Sequence, residues 1–248
     1  MKAKIGITFL LMVGAKELIA QKETQKLEQI WVGYFNQTRF SNKWGVWLDV
    51  QLRTKDHFTD HLSQLLFRSA LTYYVKDAIR TSAGVAYARY YPADNHSKVT
   101  QPEWRPWQQV QWYTKYGRNS VMQWFRLDER FRRNILNDSA LADGYSFNFR
   151  LRYNFSWKIP LSAQIKKGSW TLVLNNEVHV NFGKQITYNY FDQNRFFVGF
   201  AFNTTSTDNI QLGYMNVFQQ LPAGNKYRST DVARAYYFHY LDLRKRVN

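Results

Sequence analysis

Apolar and polar residues alternate without a break from Tyr145 to Ile159. Tyr145, Phe147, Phe149, Leu151, Tyr153, Phe155, Trp157 and Ile159 take the odd positions; Ser146, Asn148, Arg150, Arg152, Asn154, Ser156 and Lys158 take the even ones. A β-strand turns successive side chains to opposite faces, so this segment predicts a long strand with one greasy face and one polar face. The period recurs along the chain. Trp44, Val46, Leu48, Val50 and Leu52 oppose Gly45, Trp47, Asp49, Gln51 and Arg53. Phe196, Val198, Phe200 and Phe202 oppose Arg195, Gly199 and Ala201.

Read this way, the chain predicts strands at 28–40, 44–53, 63–75, 79–91, 103–116, 120–134, 145–159, 169–182, 194–203, 209–219 and 232–246. Short turns follow Phe40, Val75, Tyr116 and Asn203. Longer loops follow Arg53, Tyr91, Asn134, Phe182 and Gln219. The connection after Ile159 breaks that rhythm. Alternating short and long connections between strands of ten residues or more predict an all-β, up-and-down antiparallel transmembrane β-barrel. Single-chain bacterial barrels carry even numbers of strands, so twelve is the expected count and ten the next choice.

Composition bears on which solvent meets the greasy faces. Of 248 residues, 45% are hydrophobic and 18% aromatic, yet the mean hydropathy is −0.52. Beyond residue 20 no apolar run approaches the roughly 18 residues of a spanning helix. The apolar content is therefore dispersed in alternation, as in a membrane barrel. Trp31, Trp44, Tyr73, Tyr91, Trp104, Tyr116, Trp157 and Trp170 sit near strand ends, where rings with one polar edge suit a membrane–water boundary. A secreted soluble β-barrel binding module, with the greasy face inside, is the alternative. There is no cysteine, which agrees with export. The net charge of +16 is spread through the strands, which fits contact with outer-membrane lipid and lipopolysaccharide phosphates better than nucleic acid.

The first 20 residues read as a signal peptide. Lys2 and Lys4 precede a ten-residue apolar core, Ile5 to Gly14, and Leu18-Ile19-Ala20 offers a cleavage site. The expected organisation is a signal peptide at 1–20, a polar tail at 21–27 and a barrel domain at 28–248, destined for the outer membrane of a Gram-negative bacterium.

Several short segments resemble one family. They are Glu28-Gln29-Ile30-Trp31, the run Arg126-Leu127-Asp128-Glu129-Arg130-Phe131-Arg132, Asn175-Asn176-Glu177, Asn194-Arg195-Phe196 and Gly213-Tyr214-Met215-Asn216. Together they resemble the exported proteins known as domain of unknown function 2490. The resemblance implies an outer-membrane barrel and no particular activity.

Candidate chemistry lies on the polar faces. Arg126, Asp128, Arg130 and Arg132 share one face of their strand, and Arg150 and Arg152 one face of the next. Arg68, Glu177, His179 and Arg195 join them from other strands, with Asp49 and Arg53. Turned inward, these residues would cross a narrow lumen as ladders of guanidinium and carboxylate groups. They would form either a salt-bridged plug or, because arginine outnumbers acid, a narrow anion-preferring pore. An enzyme reading rests on His61 and Ser63, two residues apart, as base and nucleophile of a lipid-acyl hydrolase on the barrel wall. The spacing is common by chance, and loop histidines are usually solvated. No ligand spacing points to a metal, no Gly-rich loop to a phosphate cofactor, and no cofactor is expected. The loops at 92–102 and 220–231 are long enough to bind a ligand.

Overall fold

The computed structural model describes residues 23–92 and 97–244. The expected signal peptide at 1–20, and Asp94, Asn95 and His96 of the fourth loop, lie outside the described residues. The described chain forms eleven strands: β1 (Glu23–Arg39), β2 (Trp44–Asp56), β3 (Asp60–Lys76), β4 (Ile79–Tyr90), β5 (Gln101–Tyr116), β6 (Asn119–Asn137), β7 (Ala140–Pro160), β8 (Trp170–Phe182), β9 (Phe191–Asn203), β10 (Asn209–Gln220) and β11 (Lys226–Asp242). They close into one barrel in which each strand pairs with its sequence neighbours and β1 pairs with β11.

Closure corrects the expected count. The barrel has eleven strands, neither twelve nor ten. In an up-and-down chain all odd-numbered strands run the same way, so the first and eleventh can close only in parallel. They do so from Glu23↔Lys226 to Arg39↔Asp242. The sheet is thus antiparallel at every seam but one.

Two rims follow from this path. The first rim holds the start of β1 and the connections 57–59, 91–100, 138–139, 183–190 and 221–225; the second holds 40–43, 77–78, 117–118, 161–169 and 204–208. At the first rim the strands outrun the sequence reading. The expected loops 54–62 and 135–143 are mostly strand, turned by three and two residues. β11 begins inside the expected loop 220–231, and β1 begins at Glu23, inside the expected tail. Above the apolar belt both faces of a strand meet water, so hydropathy alternation fades while backbone pairing continues. Glu23 and Lys226 open the parallel seam as an ion pair at 3.2 Å.

Side-chain orientation inverts that of a water-soluble core. On β7, Leu151, Phe155 and Trp157 are exposed while Arg150, Arg152, Asn154 and Ser156 are buried. On β2, Trp44, Leu48, Val50 and Leu52 are exposed and Asp49 and Gln51 buried. Val85, Val110, Phe125, Phe196, Phe200, Leu212 and Tyr214 continue the outward apolar surface on other strands. Glycines let the wall bend tightly. A Cβ on Gly84 would lie 2.0 Å from the Ser69 carbonyl oxygen, so only glycine fits where β4 leans onto β3.

The interior also contains apolar side chains. Trp31, Phe35, Val173, Phe197, Met215, Val217, Val232 and Tyr236 form one inner cluster. Trp107 packs with Leu66, Ala70, Ala86 and Ala88 in a second, and the small alanines leave room for its fully buried indole.

Candidate functional site: the barrel lumen

All ten residues expected to form the charge cluster face the lumen. Arg68, Arg126, Asp128, Arg130, Arg150, Arg152, Glu177 and His179 are buried, and Arg132 and Arg195 line the cavity beside them. Strand register brings them together. Asp49 lies directly across from Arg68, Glu103 from Arg132, Asp128 from Arg150, and Glu177 from Arg195.

Three carboxylate centres organise the cations. The first is Glu103, fully buried and held by three arginines. Arg130 donates to both of its oxygens, Nε to Oε1 at 2.7 Å and Nη2 to Oε2 at 3.0 Å; Arg132 Nε donates to Oε2 at 2.6 Å, and Arg105 Nε donates to Oε1. The second is Asp49, which accepts from Arg68 Nε at 2.9 Å, Trp47 Nε1 at 2.7 Å and Gln51 Nε2 at 3.0 Å. The third is a chain across β6 to β9. Arg152 links Glu177 to Asp128, with Nε 2.7 Å from Glu177 and Nη1 3.4 Å from Asp128. Arg150 reaches over β8 to Asp192 at 2.9 Å. His179 sits between Glu177 and Asp192, with Nε2 2.9 Å and Nδ1 3.8 Å away respectively, but neither ring nitrogen has an aligned hydrogen bond. Forked guanidinium–carboxylate contacts of this kind hold side chains in fixed geometry.

Sequence reading missed Glu103, Arg105 and Asp192. Glu103 lies in Gln101–Tyr116, where glutamines on both faces blur the alternation; Asp192 falls in the expected loop after Phe182. The available signal was parity, since Glu103, Arg105 and Trp107 recur at every second residue. The inward aromatic wall was missed as well. Phe197 faces in although its neighbours Phe196 and Val198 face out.

Side chains from strands three apart meet within the lumen. Trp47 on β2 packs edge-on against Trp107 on β5, with ring centroids 6.4 Å apart. Arg195 on β9 lies 5.1 Å from the Trp31 ring on β1. A cavity of about 450 Å³ runs along the lumen, walled by arginines, glutamines and aromatic rings.

The hydrolase pair is not assembled. Ser63 donates its hydroxyl to the Arg53 carbonyl at 3.2 Å, and His61 is exposed with φ of 26° beside the 57–59 turn. Among the described residues no group of three or more His, Asp or Glu side chains is placed to hold a metal ion.

A family model described as protein of unknown function (DUF2490) matches residues 28–228. No curated protein and no solved structure matches the chain.

Proposed function

We propose, from the premise that this chain belongs to the DUF2490 family of unknown function, that it is an outer-membrane barrel whose lumen is braced shut by ion pairs around an internal chamber. The observation that carries the membrane reading is the inversion of side-chain polarity. An outward surface that includes Phe67, Phe125, Leu151, Phe200 and Leu212 would be unstable in water and is favourable in lipid. Outward polar residues satisfy one another, as lipid requires: Asn176 and Asn194 exchange amide hydrogen bonds at 3.2 and 3.1 Å. The signal-like first 20 residues support export to that membrane.

The closed state is supported by contacts within the lumen. Trp47 against Trp107, and Arg195 against Trp31, each joining strands three apart, narrow the lumen to a cavity of about 450 Å³. The surplus of arginine over carboxylate favours a second reading, a narrow path for anions. Fractionation of cells producing the native chain tests location, and the expected result is recovery in the outer-membrane fraction with heat-modifiable gel mobility. Recovery as a soluble secreted protein would overturn the membrane reading. In planar bilayers the closed barrel should give no steady channel events; anion-selective events would favour the second reading.

A further inference from the structure

The lumen treats its arginines in two different ways. Arg68, Arg130, Arg150 and Arg152 each contact a buried carboxylate. Arg53, Arg126 and Arg234 do not; each is positioned by glutamine amide oxygens and stacked on an aromatic ring. Arg53 donates to Gln64 at 2.7 Å and to Gln51 at 3.3 Å, with its guanidinium 3.6 Å from the Trp31 ring centroid. Arg126 donates twice to the Gln109 oxygen, at 2.9 and 2.6 Å, and lies 4.2 Å from Trp107 and 5.0 Å from Trp124. Arg234 donates to Gln211 at 3.1 Å and lies 3.3 Å from Phe197.

A glutamine oxygen fixes a guanidinium without neutralising it, and a ring face offsets only a fraction of the charge. All three arginines remain short of acceptors: Arg53 Nε, Arg126 Nη1 and Arg234 Nε are buried with no hydrogen-bond partner. Arg126 is the most telling, being 3% exposed and directly across the strand pair from another cation, Arg152. A like-charged pair at that register is destabilising unless something else balances it. Arg152 contacts Glu177 and Asp128; Arg126 contacts neither. All three line the same cavity, whose volume of about 450 Å³ falls within the range of small-molecule sites.

We infer that this chamber is a binding site for an organic oxyanion with a flat apolar body. The oxyanion would complete the charge of Arg126, and the body would lie against the indoles of Trp47 and Trp124, which line the cavity beside it. The inference deepens the closed-chamber reading and rests on the lumen alone, so it holds wherever the barrel resides.

The test uses the full folded chain in detergent micelles, with 1-naphthyl phosphate as probe and tryptophan fluorescence as readout. Saturable quenching is expected, with inorganic phosphate binding at least tenfold more weakly and 1-naphthylmethylamine giving no saturable signal. Arg126→Gln should weaken the probe tenfold or more while the folded gel mobility persists. Trp124→Leu, which removes a ring 5.0 Å from Arg126 in the same cavity, provides the same test should Arg126→Gln fail to fold. No saturable binding of the phosphate ester, equal binding of the amine, or unchanged affinity in both variants would overturn the site. A soluble fractionation result would overturn the membrane reading and leave this one standing.

Discussion

At the scale of single residues, the lumen depends on how buried charge is matched. Glu103 is fully buried and compensates three guanidinium groups, so neutralising it strands Arg105, Arg130 and Arg132 together. Breaking a buried ion pair from one side costs about 3–5 kcal/mol, since the remaining charge keeps its desolvation penalty. Glu103→Gln should therefore lower the unfolding free energy of the refolded barrel, read by urea titration, by an amount in that range. Glu103→Gln combined with Arg130→Met should recover part of the loss. A cost below about 1 kcal/mol for the single change would mean that solvent, not Glu103, carries these arginines. Gly84 depends on space instead of charge. Gly84→Val would drive side-chain atoms into the backbone of β3 and is expected to block folding into the heat-modifiable form.

At the scale of elements, β7 is where sequence and structure agree most closely. Its alternation from Tyr145 to Ile159 specifies both a strand and its two faces, and Leu151 outward with Arg150 and Arg152 inward is the arrangement found. Legibility ended where physics stops marking sequence. Residues 54–56 extend β2 with no apolar side chain, and residues 135–137 extend β6 with Ile135 and Leu136 on opposite faces, so neither stretch shows alternation. Ion-pair partners were legible as a group and not as pairs. Arg152 is across from His179 yet bonds Glu177, and Arg150 skips a strand to reach Asp192, so side-chain reach decides what register does not. Strand count failed for a different reason. Evenness is a habit of antiparallel closure, and a parallel seam carries no sequence signature. That seam can be checked directly in a chain that has no cysteine of its own. Val32 and Ala235 are register partners across it. The double variant Val32→Cys/Ala235→Cys should cross-link on mild oxidation, whereas Val32→Cys/Ala233→Cys should do so far less. Equal cross-linking would mean that the seam slides.

At the scale of the whole molecule, the apolar exterior and the braced interior make opposite demands on a solvent. Leu151 is 41% exposed within the outward surface of β7. Leu151→Arg should reduce the free energy of folding into lipid vesicles by about 2–4 kcal/mol if that position lies near the bilayer midplane. A soluble barrel would tolerate the same change within about 0.5 kcal/mol, as exposed surface positions generally do. One substitution thus discriminates between the two solvents.

The parallel seam also sets the sidedness of the chain. In an even-stranded up-and-down barrel both ends of the sheet emerge on one side. Here β1 starts at the first rim and β11 finishes at the second, so Glu23 and Asp242 lie at opposite mouths. If the proposed membrane barrel is right, an epitope placed just before Glu23 and another just after Asp242 will be reached by antibody from different faces of an intact membrane. The odd strand therefore makes the barrel a vectorial object whose two ends leave by different mouths.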